Sequence, residues 1–167
     1  LALALIKQEI PVFCLVLVGR TSKQFDADSL ADSLGVVDLL EFRGWVDYRE
    51  LPYEIDRSDL CFFIPPTNRE ELHNTIATKI YQYMARGKPV IVGSARYMKT
   101  FVEQHETGLA VDERDPASFA EAVRKLYFDP DLLKKLSENA QKVMPRYFWE
   151  ETVKGLVESY RKLRENC

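Results

Sequence analysis

Five polar side chains recur at helical spacing near the middle of the chain. They are Asn74, Thr75, Thr78, Lys79 and Gln82, which share one face of a predicted helix at about 100° per residue. Ile76, Ile80 and Tyr83 lie on the opposite face. A cation, two amides and hydroxyl groups at a helix start could bind a phosphorylated, hydroxyl-rich ligand. A purely structural amphipathic helix has the same pattern, so spacing alone leaves both interpretations open.

Several common catalytic signatures are absent from the sequence. The sequence has no GxGxxG motif after a predicted strand, which argues against a nicotinamide-type dinucleotide site. It has no GxxxxGK motif ending in Ser or Thr, which argues against a P-loop. No GxSxG nucleophile elbow occurs. His73 and His105 are the only histidines, and no Cys/His spacing suits a metal. The sequence therefore predicts neither a metal nor a cofactor.

Composition and charge exclude further classes. Lys and Arg total 23 against 26 for Asp and Glu, so no basic excess favours nucleic acid as a partner. Cys14 and Cys61 lie in apolar runs, as small core residues do, and the odd third cysteine is Cys167. The absence of a disulfide framework favours a reducing, cytoplasmic location. No apolar run approaches the roughly 20 residues of a membrane span.

Short apolar runs alternate with helical patterns and indicate the elements that must position the polar face. The runs are Val12–Val18, Leu39–Phe42, Leu60–Ile64, Pro89–Val92 and Leu109–Val111. Helical patterns cover about residues 24–34, 49–56, 74–86, 96–104, 116–128, 131–144 and 148–164. Runs that are apolar on both faces indicate strands covered by helices on both sides. We therefore expect residues 1–167 to form one α/β domain with a doubly wound, mostly parallel sheet.

In sheets of this kind, ligands bind beyond the carboxyl ends of the strands, near helix starts that attract anions. The segments that follow the predicted strands are 19–23, 44–47, 65–75, 93–96 and 112–115. We expect the site residues to lie in these segments.

The stretch from Lys79 to Ile91, KIYQYMARGKPVI, resembles a segment of GT-B-fold, group-one glycosyltransferases, which reads K-(I/L)-x-E-Y-M-A-x-G-K-P-V-(I/V). Further matches follow in the family's order: the strand that ends at Gly19, the segment EFRGWVD from Glu41, the run LP…SDLCFFIP from Leu51, and TGLAV from Thr107. The resemblance covers nearly the whole chain. It implies the Rossmann-like C-terminal domain that binds the nucleotide-sugar donor in a two-domain glycosyltransferase.

The resemblance also implies an acidic pair, spaced E-x7-E, that flanks the donor site. Its second acid binds the ribose hydroxyl groups, and its first lies near the sugar. Counting from Tyr-Met-Ala places the pair at Asn74 and Gln82, so both carboxylates are amides here. A glutamine still hydrogen-bonds a ribose hydroxyl, without the charge-assisted acceptance of a carboxylate. Glu70 or Glu71 could supply a substitute carboxylate, or could only be solvated.

Contacts with the base and phosphates follow from the same resemblance. Gly44, Trp45 and Val46 would lie against the nucleobase, although Trp45 could equally be a core aromatic. Arg20 could face the phosphates, or could be an exposed arginine that touches nothing. The predicted donor-binding residues are thus Arg20, Gly44, Trp45, Val46, Asn74, Thr75, Lys79 and Gln82. No catalytic residue is predicted.

One segment of the family's pattern has no counterpart. The family's domain begins with a strand and a G-R-x4-K-G loop, whose Arg and Lys neutralise the diphosphate of the leaving nucleotide. This chain starts within the helix that would follow that loop. We therefore expect a longer protein, and a sheet that either is incomplete between Val12–Val18 and Leu60–Ile64 or is completed by other means.

These observations predict the donor-binding domain of a retaining, metal-independent glycosyltransferase that acts on a polysaccharide or glycoconjugate acceptor. The nucleotide sugar would be a substrate, and a separate N-terminal domain would bind the acceptor, so the isolated domain is expected to be inactive. Homodimerisation and peripheral membrane association of the full enzyme stay open. The alternatives are a non-catalytic scaffold of the same fold and a GT-B-shaped epimerase or phosphorylase domain. A flavodoxin-like signalling domain fits poorly, because no acidic cluster ends the first strand.

Overall fold

Strands and helices alternate as far as residue 128, and helices alone follow in the described residues, in the computed structural model, which describes residues 1–20, 27–65 and 74–165. The strands are β1 (Leu15–Val18), β2 (Leu40–Gly44), β3 (Cys61–Phe63), β4 (Val90–Val92) and β5 (Gly108–Ala110). The helices are α1 (Ala2–Lys7), α2 (Ala27–Ser33), α3 (Leu51–Asp56), α4 (Thr78–Ala85), α5 (Arg96–Gln104), α6 (Pro116–Phe128), α7 (Pro130–Val143), α8 (Trp149–Thr152) and α9 (Lys154–Glu165). Short 3-10 helices cover Val37–Leu39 and Met144–Tyr147. The predicted alternation of strands and helices is confirmed.

The strands pair in parallel and form two hydrogen-bonded groups. β1 pairs with β2, and Leu15 lies opposite Leu40. β3, β4 and β5 pair in that order, with Val90 of β4 opposite both Cys61 and Gly108. Within the described ranges no strand ladder joins β1 to β3. The discontinuity that the sequence predicts between these two strands is therefore present.

Helices cover both faces of the three-strand group. The side chains of Val90, Ile91 and Val92 are 0% exposed, so β4 is buried on both of its faces. Val90 and Val92 pack in a core cluster with side chains from α4, α5 and α7, whereas Ile91 packs in a second cluster with α1 and α6. The alternation of side chains along a strand produces this division. A strand that is buried on both faces therefore needs an apolar residue at every position.

Close contacts and capping fix the outer elements on this sheet. A Cβ on Gly108 would overlap the carbonyl oxygen of Val90, so only glycine allows β5 to lie where it does. Asp115 caps α6 by accepting the backbone N–H of Ala117 at 2.9 Å, and Pro116 occupies the first helical position. Gly108 thus lets β5 pair with β4 at one edge of the three-strand group, and Asp115 fixes the start of α6.

The first predicted strand and the last predicted helix differ in extent from the structure. The first strand begins at Leu15 rather than at Val12, which is 81% exposed. The helix predicted over 148–164 is divided at Val153 into α8 and α9. Thr152, Val153 and Gly155 all have lower helix propensity than alanine, which accounts for a break at this point. Across the described ranges, every helix is too short or too polar to cross a membrane.

Candidate functional site

A small pocket opens where β1 and β2 end. Val18 lies opposite Gly44, and Gly19 donates its backbone N–H to the Gly44 carbonyl at 2.7 Å. Gly44 has a φ of +65°, a left-handed conformation that favours glycine and turns the chain away from β2. The pocket has a volume of about 220 Å³, and it is lined by Val18, Gly19, Trp45, Val46, Tyr48 and Leu51. Two of the strand ends at which the sequence predicts ligand binding therefore enclose one cavity.

Trp45 lies on the wall of this pocket with 66% of its surface exposed. A core aromatic would be buried, so the interpretation of Trp45 as a core residue is wrong. Val46, the next residue, is half-buried and also lines the pocket. An indole beside a cavity offers a flat apolar face on which a planar ring can stack. The resemblance implies that both residues contact a nucleobase, and that role stays a prediction.

Tyr48, on the same wall, is a residue that sequence reasoning missed. It is 73% exposed, and its hydroxyl oxygen accepts a hydrogen bond from Nε2 of Gln82 at 3.4 Å. Asp47 shapes the turn that carries Tyr48, because its carboxylate accepts the backbone N–H of Arg49 at 2.9 Å and the guanidinium at 3.0 Å. These bonds hold the pKa of Asp47 below its ordinary value. A single aromatic residue in the polar segment Asp47–Glu50 was the signal available in the sequence.

Helix α4 carries two predicted donor-binding residues, of which Gln82 reaches the pocket through Tyr48. Lys79 and Gln82 are three residues apart and therefore lie on the same side of the helix. Nζ of Lys79 lies 5.6 Å from the centre of the ring of Phe63, the last residue of β3. No described carboxylate forms an ion pair with Lys79, which is exposed. A cation thus lies beside the carboxyl end of β3.

The predicted helical face is wrong at its N-terminal end. Helix α4 begins at Thr78, and Ala77 before it is extended, with φ −63° and ψ 135°. Asn74 and Thr75 are exposed and precede the helix, so they do not share a helical face with Lys79 and Gln82. Ile76 and Ala77 pack against the core instead of continuing the helix. Asn and Thr side chains favour such turns, because they compete with helical backbone hydrogen bonds.

The remaining predicted site residues are Arg20, Glu70 and Glu71. Arg20 directly follows Gly19, is exposed, and forms no ion pair with any residue that the structure describes. Glu70 and Glu71, the predicted substitute carboxylates, lie outside the described residues. In the described ranges, no group of three or more His, Cys, Asp or Glu side chains could hold a metal ion.

A carboxylate that sequence reasoning missed lies where β4 and β5 end. Glu113 accepts the backbone N–H of Ser94 at 2.7 Å and the Ser94 hydroxyl at 3.0 Å. Partial burial raises the pKa of Glu113, but these hydrogen bonds outweigh it and leave the pKa below its ordinary value. Helix α5 starts at Arg96 without a capping side chain on Ala95, so Glu113 supplies the negative charge at this helix start. The anion position before α5 is therefore filled by the protein itself.

A larger, open groove of about 640 Å³ runs between β5 and α6. It contains none of the predicted site residues, and its Arg124 already forms an ion pair with Glu9 at 2.9 Å. The smaller pocket at β1 and β2 is therefore the candidate site, because it brings together Trp45, Val46 and, through Tyr48, Gln82.

Comparison with known proteins identifies the class. The family model described as "Glycosyl transferases group 1" matches residues 1–143, so the chain belongs to the group 1 glycosyltransferases. It is 38% identical over 159 residues to a D-inositol 3-phosphate glycosyltransferase of Corynebacterium urealyticum. It is 28% identical over 145 residues to the lipopolysaccharide core biosynthesis glycosyltransferase LpsE of Rhizobium meliloti. These alignments cover 93% and 86% of this chain, but the chain spans only 36% and 40% of the two relatives.

Solved structures confirm the fold. HepE of Anabaena, in complex with UDP, superimposes with a TM-score of 0.76 at 19% identity, over 96% of this chain and 44% of HepE. The C-terminal domain of the group 1 glycosyl transferase LpcC of Francisella tularensis superimposes with a TM-score of 0.71 at 19% identity, over 89% of this chain and 76% of that domain. The predicted Rossmann-like α/β fold and the resemblance to the C-terminal half of a GT-B glycosyltransferase are confirmed.

Proposed function

We propose that residues 1–167 form the domain that binds the nucleotide-sugar donor of a glycosyltransferase, with the nucleobase in the pocket between Gly19, Trp45 and Val46. The observation that carries this proposal is the aromatic-walled pocket at the carboxyl ends of two parallel strands. Ligands of α/β sheets bind at this edge. The structures of HepE with UDP and with UDP-glucose support a nucleotide sugar as the ligand class.

The charges of the described residues suggest how the rest of the donor lies. Lys79 is an exposed cation at the start of α4, and the first backbone N–H groups of this helix have no capping side chain. The corresponding position before α5 is filled by Glu113, which would repel a phosphate. We therefore place the diphosphate near Lys79 and Arg20, the ribose near Gln82, and the sugar toward Asn74 and Thr75.

The reaction that fits this arrangement is sugar transfer to a polysaccharide or glycoconjugate acceptor held by a separate domain. Arg20 and Lys79 would stabilise the negative charge that develops on the leaving nucleoside diphosphate. By family resemblance we propose a retaining, metal-independent reaction. Cys14 and Cys61 are both free thiols, which fits a cytoplasmic location.

A thermal-shift screen of the chain with UDP, GDP, ADP, CMP and their sugar conjugates tests donor binding. A ligand at 100 times its dissociation constant stabilises a protein by about 2.7 kcal/mol, which corresponds to about 5–10 °C for a domain of this size. We expect one nucleotide to raise the melting temperature selectively. Lys79→Ala should reduce that rise, whereas Lys134→Ala, an exposed lysine on α7, should not. A flat response to every nucleotide would contradict donor binding.

A non-catalytic scaffold is the second candidate, and one observation favours it: the acidic pair is replaced by Asn74 and Gln82. Restoring both acids in the full-length protein, as Asn74→Glu with Gln82→Glu, distinguishes the two candidates. An active donor site should gain donor affinity, because a carboxylate accepts ribose hydroxyls more strongly than an amide. Unchanged affinity would favour the scaffold.

A further inference from the structure

We propose that Asp56, Arg86 and Lys88 form a clasp that fixes the base pocket in position relative to helix α4, so that one nucleotide can bind to both at once. This inference rests on the proposed function, because it concerns how the two parts of that site are held together. The clasp consists of positioning residues, since it lies at the ends of α3 and α4 that are opposite to the pocket and to Lys79.

The two parts of the proposed site belong to different groups of strands. Leu51, the first residue of α3, lines the pocket, and Glu54 of the same helix forms an ion pair with Arg43 of β2 at 3.6 Å. Lys79 lies on α4, whose Ile80 is 0% exposed and packs in the core of the three-strand group. Since no strand ladder joins β1 to β3 in the described ranges, contacts between side chains have to hold the pocket and Lys79 at a fixed distance.

Three hydrogen bonds join the end of α3 to the end of α4. Nε of Arg86 donates to Oδ1 of Asp56 at 2.7 Å, and a second guanidinium nitrogen donates to Oδ2, so the ion pair is bidentate. Nζ of Lys88 donates to the backbone carbonyl of Asp56 at 2.9 Å. This carbonyl is one of those at a helix end that have no partner within the helix. The Arg86 guanidinium holds the pKa of Asp56 below its ordinary value, so the carboxylate is ionised at neutral pH.

Asp56 is an unfavourable residue for the position that it occupies in α3. It is the last residue of this helix, and the C-terminal end of a helix carries a partial negative charge that repels a carboxylate. Both of the cations that compensate for this repulsion come from the end of α4. The contact with α4, rather than the stability of α3, therefore accounts for a carboxylate at this position.

The turn that carries the two cations is fixed from its other side. Gly87 has a φ of +67°, and the Lys88 N–H donates back to the Tyr83 carbonyl at 3.0 Å, which closes the end of α4. The Gly87 carbonyl accepts the hydroxyl of Ser137, on α7, at 2.6 Å. Arg86 and Lys88 thus extend toward α3 from a turn that is anchored on the three-strand group.

A ligand that contacts both parts of the site benefits from their fixed spacing. Once the base occupies the pocket, the phosphates meet Lys79 at a high effective concentration only if α3 and α4 stay together. A nucleoside contacts the pocket alone and gains nothing from this spacing. Breaking the clasp should therefore reduce the affinity that the phosphates add, and leave the affinity for the nucleoside unchanged. A general loss of stability would not separate the two ligands in this way.

The experiment compares the affinities of the full-length protein for uridine and UDP by ligand-observed NMR titration, and for the guanosine, adenosine and cytidine pairs in the same way. In Asp56→Ala the gain in affinity from nucleoside to diphosphate should fall about two- to tenfold, the range expected for a residue that couples two sites without touching the ligand. Lys135→Ala is the matched control, because it removes an exposed ion pair with Glu106, at 3.0 Å, within the three-strand group. This variant should keep the wild-type gain.

Reversal of the ion pair separates positioning from the loss of a side chain. Arg86→Asp alone brings two carboxylates together and should reduce the gain at least as much as Asp56→Ala does. The double variant, Asp56→Arg with Arg86→Asp, restores opposite charges and should recover most of the gain.

Three results would overturn the clasp while leaving the proposed function intact. They are an unchanged gain in Asp56→Ala, an equal loss of affinity for nucleoside and diphosphate in that variant, and no recovery in the double variant. Failure of wild type to bind any of the four diphosphates would instead overturn the proposed function, and the role of the clasp with it.

Discussion

The two groups of strands differ sharply in how they are buried. In β4, at the centre of the three-strand group, Val90, Ile91 and Val92 are 0% exposed, and two large clusters pack on its faces. In the two-strand group, β1 is only half-buried, and its last residue, Val18, is 38% exposed. The buried core nearest this group is a small cluster of Ala31, Val36 and Leu39. The candidate pocket belongs to the less buried group.

This difference separates the well-packed part of the domain from the surface at which we propose that the donor binds. The three-strand group supplies the packed apolar contacts on which the domain's stability depends. The two-strand group exposes strand ends and aromatic side chains, which a ligand can cover. Binding elements are commonly drawn from regions of lower local stability.

The largest expected effect is the loss of stability when Gly108, in the three-strand group, is replaced. In Gly108→Ala the new methyl group overlaps the backbone of β4, so we expect the free energy of unfolding to fall by about 3 kcal/mol. Gly155→Ala is the matched control, because a Cβ there meets open space in helix α9 and should stabilise by up to about 1 kcal/mol. Urea denaturation measures both. Equal stability of the two variants would contradict the close approach of β5 to β4.

Hydrogen exchange compares the two groups directly. We expect the amide protons of Val90–Val92 to exchange at least about a hundredfold more slowly than those of Leu15–Val18, because β4 opens only with its two clusters. Mass spectrometry or NMR on the free chain resolves these segments. Equal protection of the two groups would show that the sheet opens as one unit.

A smaller effect is expected at the start of α6, which covers the scaffold. Asp115→Ala removes the carboxylate that accepts the Ala117 N–H, and should lower the free energy of unfolding by about 1 kcal/mol. Asp131→Ala, in the first turn of α7, removes an exposed carboxylate that does not cap its helix and should change stability by less than about 0.5 kcal/mol. Thermal denaturation measures the loss of stability in each of the two variants. A larger loss for Asp131→Ala would contradict the capping assignment.

The smallest expected effect is a dependence of stability on pH at His105. A ring nitrogen of His105 lies 2.8 Å from the Tyr147 hydroxyl, and burial, aided by the nearby Arg146, lowers the pKa below its ordinary value of 6.5. Below pH 6.5 the unfolded chain therefore binds more protons than the folded chain, and stability decreases as the pH falls toward the folded pKa. Between pH 7.5 and 5.5, His105→Gln should lose less stability than wild type. An equal loss in both proteins would assign the pH dependence to other groups.

The sequence predicts the scaffold better than the site. A run that is apolar at every position, such as Val90–Val92, has only one stable placement, at the centre of a covered sheet. The start of α4 was predicted four residues too early, because the packing of Ile76 and Ala77 overrides the helical periodicity of Asn74 and Thr75. The local sequence pattern gives no information about this tertiary contact.

The site residues that were missed depend on contacts between distant segments. Tyr48 and Gln82 are separated by 34 positions, and Ser94 and Glu113 by 19. Neither pair has a short motif, so spacing along the chain does not reveal it. Trp45 could be predicted as a site residue because its segment resembles the glycosyltransferase family. Only the structure shows that its side chain is exposed.

The most direct test of nucleotide binding at the two-strand group uses the fluorescence of Trp45. The chain has two tryptophans, so Trp149→Phe, which changes an exposed residue of α8, leaves Trp45 as the sole reporter. We expect a nucleoside diphosphate to change its emission saturably, with the same dissociation constant as calorimetry, because the base stacks on the indole. Calorimetric binding with unchanged Trp45 emission would contradict the account, since the base would then lie elsewhere.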